Sequence, residues 1–246
     1  MKKLFEKKES LFAILWIVAY VVGMSATESI SDSVFVTKLA ASIVGAVLSV
    51  GMLVFSAKAG IFEYLGLCKA KQPARRMLFY IPLIILGSVN LWFGVGLKMT
   101  AAESALYVLS MIFVGFLEEV IFRGLLFRSL CRGNVKVAFI VSSLTFGIGH
   151  IVNLINGSGQ SVFETVTQMI YAFAIGFAFA AVAYYSHSII PCILTHVAVN
   201  TLSAFAGEPS DTAQIITTIV LTVVSVAYAV VLILTHRSKA ANAERR

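Results

Sequence analysis

Apolar residues occupy this chain in long blocks separated by short polar segments. A helix crossing a bilayer core needs roughly 20 predominantly apolar residues. Eight stretches reach or approach that length, at about 11–25, 34–56, 77–97, 105–128, 137–155, 163–185, 188–206 and 214–235. The pattern predicts an all-α integral membrane protein with about eight transmembrane helices. Pro is scarce, at four residues, and no Gly/Ser-rich linker divides the chain, so residues 1–246 read as one polytopic membrane domain. No internal repeat is visible.

The composition agrees with this pattern: 59% of residues are hydrophobic and only 13% are charged, too few to cover a soluble core. The first stretch is the shortest and follows a basic start, Lys2-Lys3 and Lys7-Lys8, as a signal peptide would. Met24 fits poorly three residues before a cut after Ala26, so the stretch is expected to remain as an anchor. Cys68, Cys131 and Cys192 are odd in number and widely scattered, which excludes a disulfide framework and a paired-cysteine zinc site.

The net charge of +7 reads as topology rather than as nucleic-acid binding, because of where the charges fall. With a cytoplasmic N-terminus, one side carries Lys2, Lys3, Lys7, Lys8, Lys58, Lys69, Lys71, Arg75, Arg76, Arg128, Arg132, Lys136, Arg237, Lys239, Arg245 and Arg246. That side holds sixteen of the nineteen basic residues. The outer loops hold Lys98 against Glu28, Asp32, Glu103, Glu164, Glu208 and Asp211, with Lys38 snorkelling from the outer end of the second span. The positive-inside rule thus predicts a multi-pass cell-membrane protein with both termini cytoplasmic.

Several polar residues fall inside the spans, where each charge costs about 2.5–3.5 kcal/mol at mid-helix. Such residues normally face a bundle interior and mark function. The fourth span contains Glu118, Glu119 and Arg123. Glu119 and Arg123 are four apart and share a helix face, whereas Glu118 and Arg123 lie about 140° apart around the axis. This predicts a Glu119–Arg123 pair and leaves Glu118 as the free carboxylate, suited to general base or acid work. A structural ion cluster is the competing explanation. The fifth span supplies Phe146 and His150, with Gly147 and Gly149 between them to permit close helix approach. The seventh supplies His196 and Asn200 on one face. Two such donors can stabilise a tetrahedral oxyanion, or simply join helices as polar glue. Counting 1.5 Å per residue from the cytoplasmic ends, Glu118, His150 and His196 lie at depths of about 18, 21 and 12 Å, compatible with one layer.

Other candidates carry less. Cys192 precedes His196 by one turn but reads as a small buried hydrophobe. Gly157-Ser158-Gly159 sits in a polar outer loop. His187 and His236 fall at span ends, and the Phe, Tyr and Trp residues are expected to face lipid or form interfacial belts.

Glu118-Glu119 followed by Arg123 resembles the EExxxR motif of the CPBP family, the type II CAAX prenyl endopeptidase and bacteriocin-processing group also called Abi proteins. Phe146 to His150 resembles its FxxxH motif and His196 to Asn200 its HxxxN motif. The three occur in order on three predicted spans, and the resemblance covers about residues 105–205. It implies an eight-helix intramembrane endopeptidase whose polar cavity opens to the cytoplasm. Its substrates would be membrane-associated peptides or proteins, of CAAX-type or bacteriocin-like character. By the resemblance, Glu118 and His150 activate water, His196 and Asn200 hold the oxyanion, and Glu119 and Arg123 brace the site. The family is also described as metalloprotease-like, and Glu118, His150 and His196 are Zn²⁺ ligands by type. Metal-bound water and glutamate-activated water both remain open, the Asn donor favouring the latter.

Other proteases fit less well. The chain has no HExxH, and its only aspartates, Asp32 and Asp211, fall in outer loops. A non-catalytic immunity or scaffold protein binding a peptide in the same cavity is the alternative from a different class. A proton-relay transporter would call for broken helices and inverted repeats.

Overall fold

The computed structural model describes residues 1–243, with side chains through His236. The basic residues Arg237, Lys239, Arg245 and Arg246 used for topology lie outside those described side chains. A short α1 (Lys2–Lys7) leads into α2 (Glu9–Glu28) and α3 (Val34–Ala59), and a single turn, α4 (Phe62–Leu65), follows between left-handed Gly60 and Gly66. Next come α5 (Ile81–Gly87), α6 (Ala101–Glu119), α7 (Arg128–Cys131), α8 (Val135–Gly149), α9 (Val162–Ser186), α10 (Ile190–Leu202) and α11 (Asp211–Ala243). Among the described residues there is no strand, only one isolated bridge between Val95 and Ala206.

Among the described residues six helices are long and apolar enough to cross a membrane: Glu9–Glu28, Val34–Ala59, Ala101–Cys131, Val135–Leu154, Val162–Ser186 and Asp211–His236. The other two predicted spans are present in shorter form. The segment at 188–206 is a helix of 13 residues finished by a 3-10 turn, Ser203–Phe205. The segment at 77–97 is interrupted. Leu78, Phe79 and Tyr80 take left-handed backbone angles, α5 begins with Pro82 in its first turn, and a 3-10 turn follows at Val89–Leu91. Tyr228 of α11 donates to the Met77 carbonyl (2.9 Å), and α5 packs on α10 and α11. Met77 is thereby covered by protein, whereas Leu78 and Phe79 stay exposed.

Local chemistry sets several helix starts. Thr100 and Glu103 form a reciprocal capping box at α6, and Ser161 and Glu164 form another at α9. The Asn134 side chain caps α8 by accepting from the Lys136 and Val137 amides. Small residues set the packing. Ala174, Ala178 and Ala181 share one face of α9, which packs on α8 and α11, and residues Ala178 to Ala183 are buried on every side. The outward surface is apolar, with Val47, Ile84, Leu194 and Ile219 all more than half exposed, as a lipid-facing surface requires.

The aromatic expectation needs correction. Phe12, Trp16 and Tyr20 on α2 are buried rather than facing lipid, and Phe5 packs edge-on against Phe12 and Phe55, which are tilted to one another. Short connections to α3 and packing against the α6 continuation enclose that face of α2. His187 caps α9 with a left-handed turn, and His236 stacks on Tyr185 with ring centroids 4.5 Å apart.

The two ends of the bundle are distinguishable by their contacts. At one end, Lys38 pairs with Glu28 (2.8 Å), Lys98 with Glu208 (3.2 Å), and Ser29 donates to the Asn156 carbonyl. At the other, Arg132 pairs with Glu9 (3.1 Å), Ser10 bonds Ser129, and the Lys71 amide donates to the Ser186 carbonyl. These are the acidic and basic loop sets that the charge pattern separates.

Candidate active site

The polar residues of α6 lie where the helix changes character. After Glu119 the chain continues as a π-helix, Val120–Phe127, before returning to α-helix in α7. Wide turns of this kind occur mostly at functional positions. All eight residues of the π segment are buried, Arg123 included. Arg123 Nη1 donates to Glu119 Oε1 (3.0 Å), the pair expected from their spacing. The guanidinium also lies over the Phe146 ring, 4.1 Å from its centroid, a desolvated cation–π contact.

The structure adds a third partner to that pair. His196 Nδ1 is 2.8 Å from the same Glu119 Oε1. Glu119 is fully buried, so it links α6 to α10 through His196 and to its own next turn through Arg123. The link is allowed by Gly115: a Cβ there would stand 2.8 Å from Val197 Cγ2 and 3.0 Å from the Val197 nitrogen. Gly147 plays the same part between α8 and α9, where a Cβ would meet Phe173 Cβ at 2.9 Å. Gly149 does not, because nothing lies within 4 Å of its Cβ position; it lines the cavity instead.

Glu118 points the other way, into a cavity of about 820 Å³. His150, His196 and Asn200 line the same cavity. Tyr20 donates its hydroxyl to Glu118 Oε1 at 2.5 Å, and Glu118 Oε2 lies 3.6 Å from His196 Nε2. One carboxylate oxygen is thus occupied, and the other faces the cavity beside an imidazole. Tyr20 was not legible as a site residue: α2 carries no motif, and only the folded packing brings it to Glu118.

Acceptor-only partners fix the histidine protons. The Phe146 carbonyl stands 3.0 Å from His150 Nδ1, and the Glu119 carboxylate stands against His196 Nδ1. Neither group can donate, so both rings carry a proton on Nδ1. Neutral His150 therefore presents a lone pair at Nε2. His196 presents a lone pair at Nε2 when neutral and a donor there only as imidazolium. The Asn200 side-chain amide has no hydrogen-bond partner among the described residues.

The metal question can be put to the same residues. Among the described residues no three His, Cys, Asp or Glu side chains gather in an arrangement that would hold an ion, and this includes Glu118, His150 and His196. Glu119 is committed to Arg123 and His196. The donor set as arranged does not fit a zinc site, and no step below passes through one. Cys192 is fully buried with its thiol directed to the Phe179 carbonyl, and Ser158 closes its own loop onto the Asn153 carbonyl.

Residues 100–202 match the family model for the type II CAAX prenyl endopeptidase Rce1-like group. Over those residues the chain is similar to that family. The match takes in all three motifs, Glu118 to Arg123, Phe146 to His150 and His196 to Asn200, and excludes α2 with Tyr20. No curated protein matches the chain. One expectation from the family resemblance differs here. The cavity rim includes Glu28, Lys98, Gln160 and Glu208, so the cavity opens toward the acidic loops and not toward the basic ones.

Proposed function

We propose that this Rce1-like protein is an intramembrane endopeptidase that hydrolyses membrane-associated peptides by direct attack of water. The observation that carries the reading is the split between two adjacent carboxylates. Glu119 is bound on one oxygen by Arg123 and His196, while Glu118 keeps one oxygen free in a polar cavity within the bundle. Neighbouring acids held in different environments are the usual basis for assigning different roles.

In this reading a water held between Glu118 Oε2 and the Nε2 lone pair of His150 loses its proton as it attacks the scissile carbonyl. Tyr20 orients Glu118 by holding Oε1. His196, as imidazolium against Glu119, and the Asn200 amide donate to the oxyanion. Glu118 then returns the proton to the leaving amine. The apolar bundle around the cavity strengthens these electrostatic interactions. Peptides carrying a CAAX-type prenylated end and bacteriocin-like peptides are both candidate substrates.

The test is to reconstitute the protein in liposomes with a mixture of membrane-anchored peptides in ¹⁸O-enriched water and sequence the products. The wild type should create new C-termini bearing ¹⁸O, and Glu118→Gln should not. If folded wild type creates no new termini, or Glu118→Gln creates the same ones, the reading fails.

A further inference from the structure

The cavity is confined to one half of the bundle. On α2 its lining runs from Tyr20 to Glu28 and includes nothing earlier. On α6 and its continuation it runs from Tyr107 to Phe122, and on α9 from Glu164 to Ile175. On α10 it begins only at His196, and on α11 it ends at Leu221 although the helix continues to Ala243. Every one of these stretches is the half nearest the acidic loops.

The opposite half is filled. Leu65, Ile121, Leu125 and Ile189 are completely buried, and Arg123 plugs the level just beyond Glu118. Below them the ends are tied by Arg132 to Glu9 and by the Ile189 amide to the Gly66 carbonyl. A Cβ on Gly124 would stand 3.2 Å from the Leu65 carbonyl, so this side is closely packed. At the acidic end the Gly96 amide donates to the Phe205 carbonyl, the Gly207 amide to the Gly94 carbonyl, and Lys98 pairs with Glu208, but these ties lie at the rim, where Glu28, Lys98, Gln160 and Glu208 line the cavity.

The loops at the two ends differ in sign. The rim end carries Glu28, Asp32, Glu103, Glu164, Glu208 and Asp211 against Lys38 and Lys98. The packed end carries Lys58, Lys69, Lys71, Arg75 and Arg76 between α3 and α5, and Arg128, Arg132 and Lys136 around α7. Short basic loops stay in the cytoplasm during insertion. We infer that the Glu118 cavity is open to the outer, non-cytoplasmic face of the membrane. Its substrates are polypeptides whose cleavable segment lies on that outer face. The substrate part rests on the peptidase reading above; the direction of opening does not.

The direction is tested by thiol accessibility. Cys68 and Cys131 are replaced by Ala, leaving only the fully buried Cys192. Single cysteines are then placed at Met111 on the cavity wall, Lys98 on the rim, or Lys58 on the packed side. Each variant is exposed to a membrane-impermeant maleimide in intact spheroplasts and in inverted vesicles. Met111→Cys and Lys98→Cys should label in spheroplasts only, and Lys58→Cys in inverted vesicles only. Labelling of Met111→Cys from the cytoplasmic face, or from neither face, overturns the inference. Lys98→Cys decides the orientation should Met111→Cys fail to fold. The measurement needs no turnover, so it is repeated in Glu118→Gln. Outer-face labelling without any cleavage would retain the orientation and reject the peptidase, and cleavage with inner-face labelling would do the reverse.

Discussion

Replacing Arg123 with Met removes the cation beneath the site while keeping a long apolar stem. Arg123 is 1% exposed and Glu119 is completely buried, so water cannot compensate the loss. Glu119 Oε1 would keep only its bond from His196. Removing one partner of a buried ion pair costs about 3–5 kcal/mol. The contact with Phe146 at 4.1 Å goes as well. The unfolded chain in a membrane also shelters its polar groups, which places the expectation near the low end, about 3 kcal/mol. Glu119→Gln should destabilise for the mirror reason, by leaving Arg123 unpaired. The double variant removes both charges, so its loss should fall short of the sum of the singles by at least about 1.5 kcal/mol, within the usual coupling range for residues in contact. Reversible unfolding in mixed micelles, titrated with denaturing detergent, measures all four proteins. An Arg123→Met variant within about 0.5 kcal/mol of wild type, or strictly additive singles, would refute the buried Glu119–Arg123 pair.

Tyr20→Phe removes the hydroxyl bound to Glu118 Oε1. A hydrogen bond to a charged group contributes about 1.5–3 kcal/mol, so kcat should fall by about 10- to 100-fold with KM little changed; an unchanged kcat would remove Tyr20 from the site. Gly115→Ala and Gly147→Ala should lower thermal stability by about 1–3 kcal/mol through overpacking. Gly149→Ala, with open space at its Cβ, should stay within about 0.5 kcal/mol, and equal effects at all three would contradict the close-approach argument. Cys192→Ala should keep cleavage activity, whereas its loss would revive a cysteine nucleophile.

Where the sequence was readable, spacing and hydropathy set the geometry directly. Among the described residues six spans are helical, one of them through a π segment, because an apolar block in a bilayer has few alternatives. The Glu119–Arg123 pair follows from a separation of four residues on one helix. The interrupted 77–97 segment was less readable, because hydropathy sums over a block and does not register where it bends. Pro82 was the local sign, since proline suits the first turn of a helix. The contact of His196 with Glu119 was hidden for a different reason. It joins residues 77 positions apart and depends on how closely Gly115 lets α10 approach. Tyr20 was hidden in the same way, 98 positions from its partner. The direction in which the cavity opens is likewise a property of the packed bundle: the charges name the two ends, and only the folded chain shows which end is filled.

The central claim is that Glu118 is the base that activates water. Its most direct test is the cleavage rate of purified, folded Glu118→Gln against wild type on one membrane-anchored peptide that the wild type cuts. Gln keeps the size and a hydrogen-bonding oxygen for Tyr20 but cannot take a proton. The account predicts a fall in kcat of about 10²–10⁴-fold, the range for a positioned general base. A Glu118→Gln rate equal to wild type would contradict it.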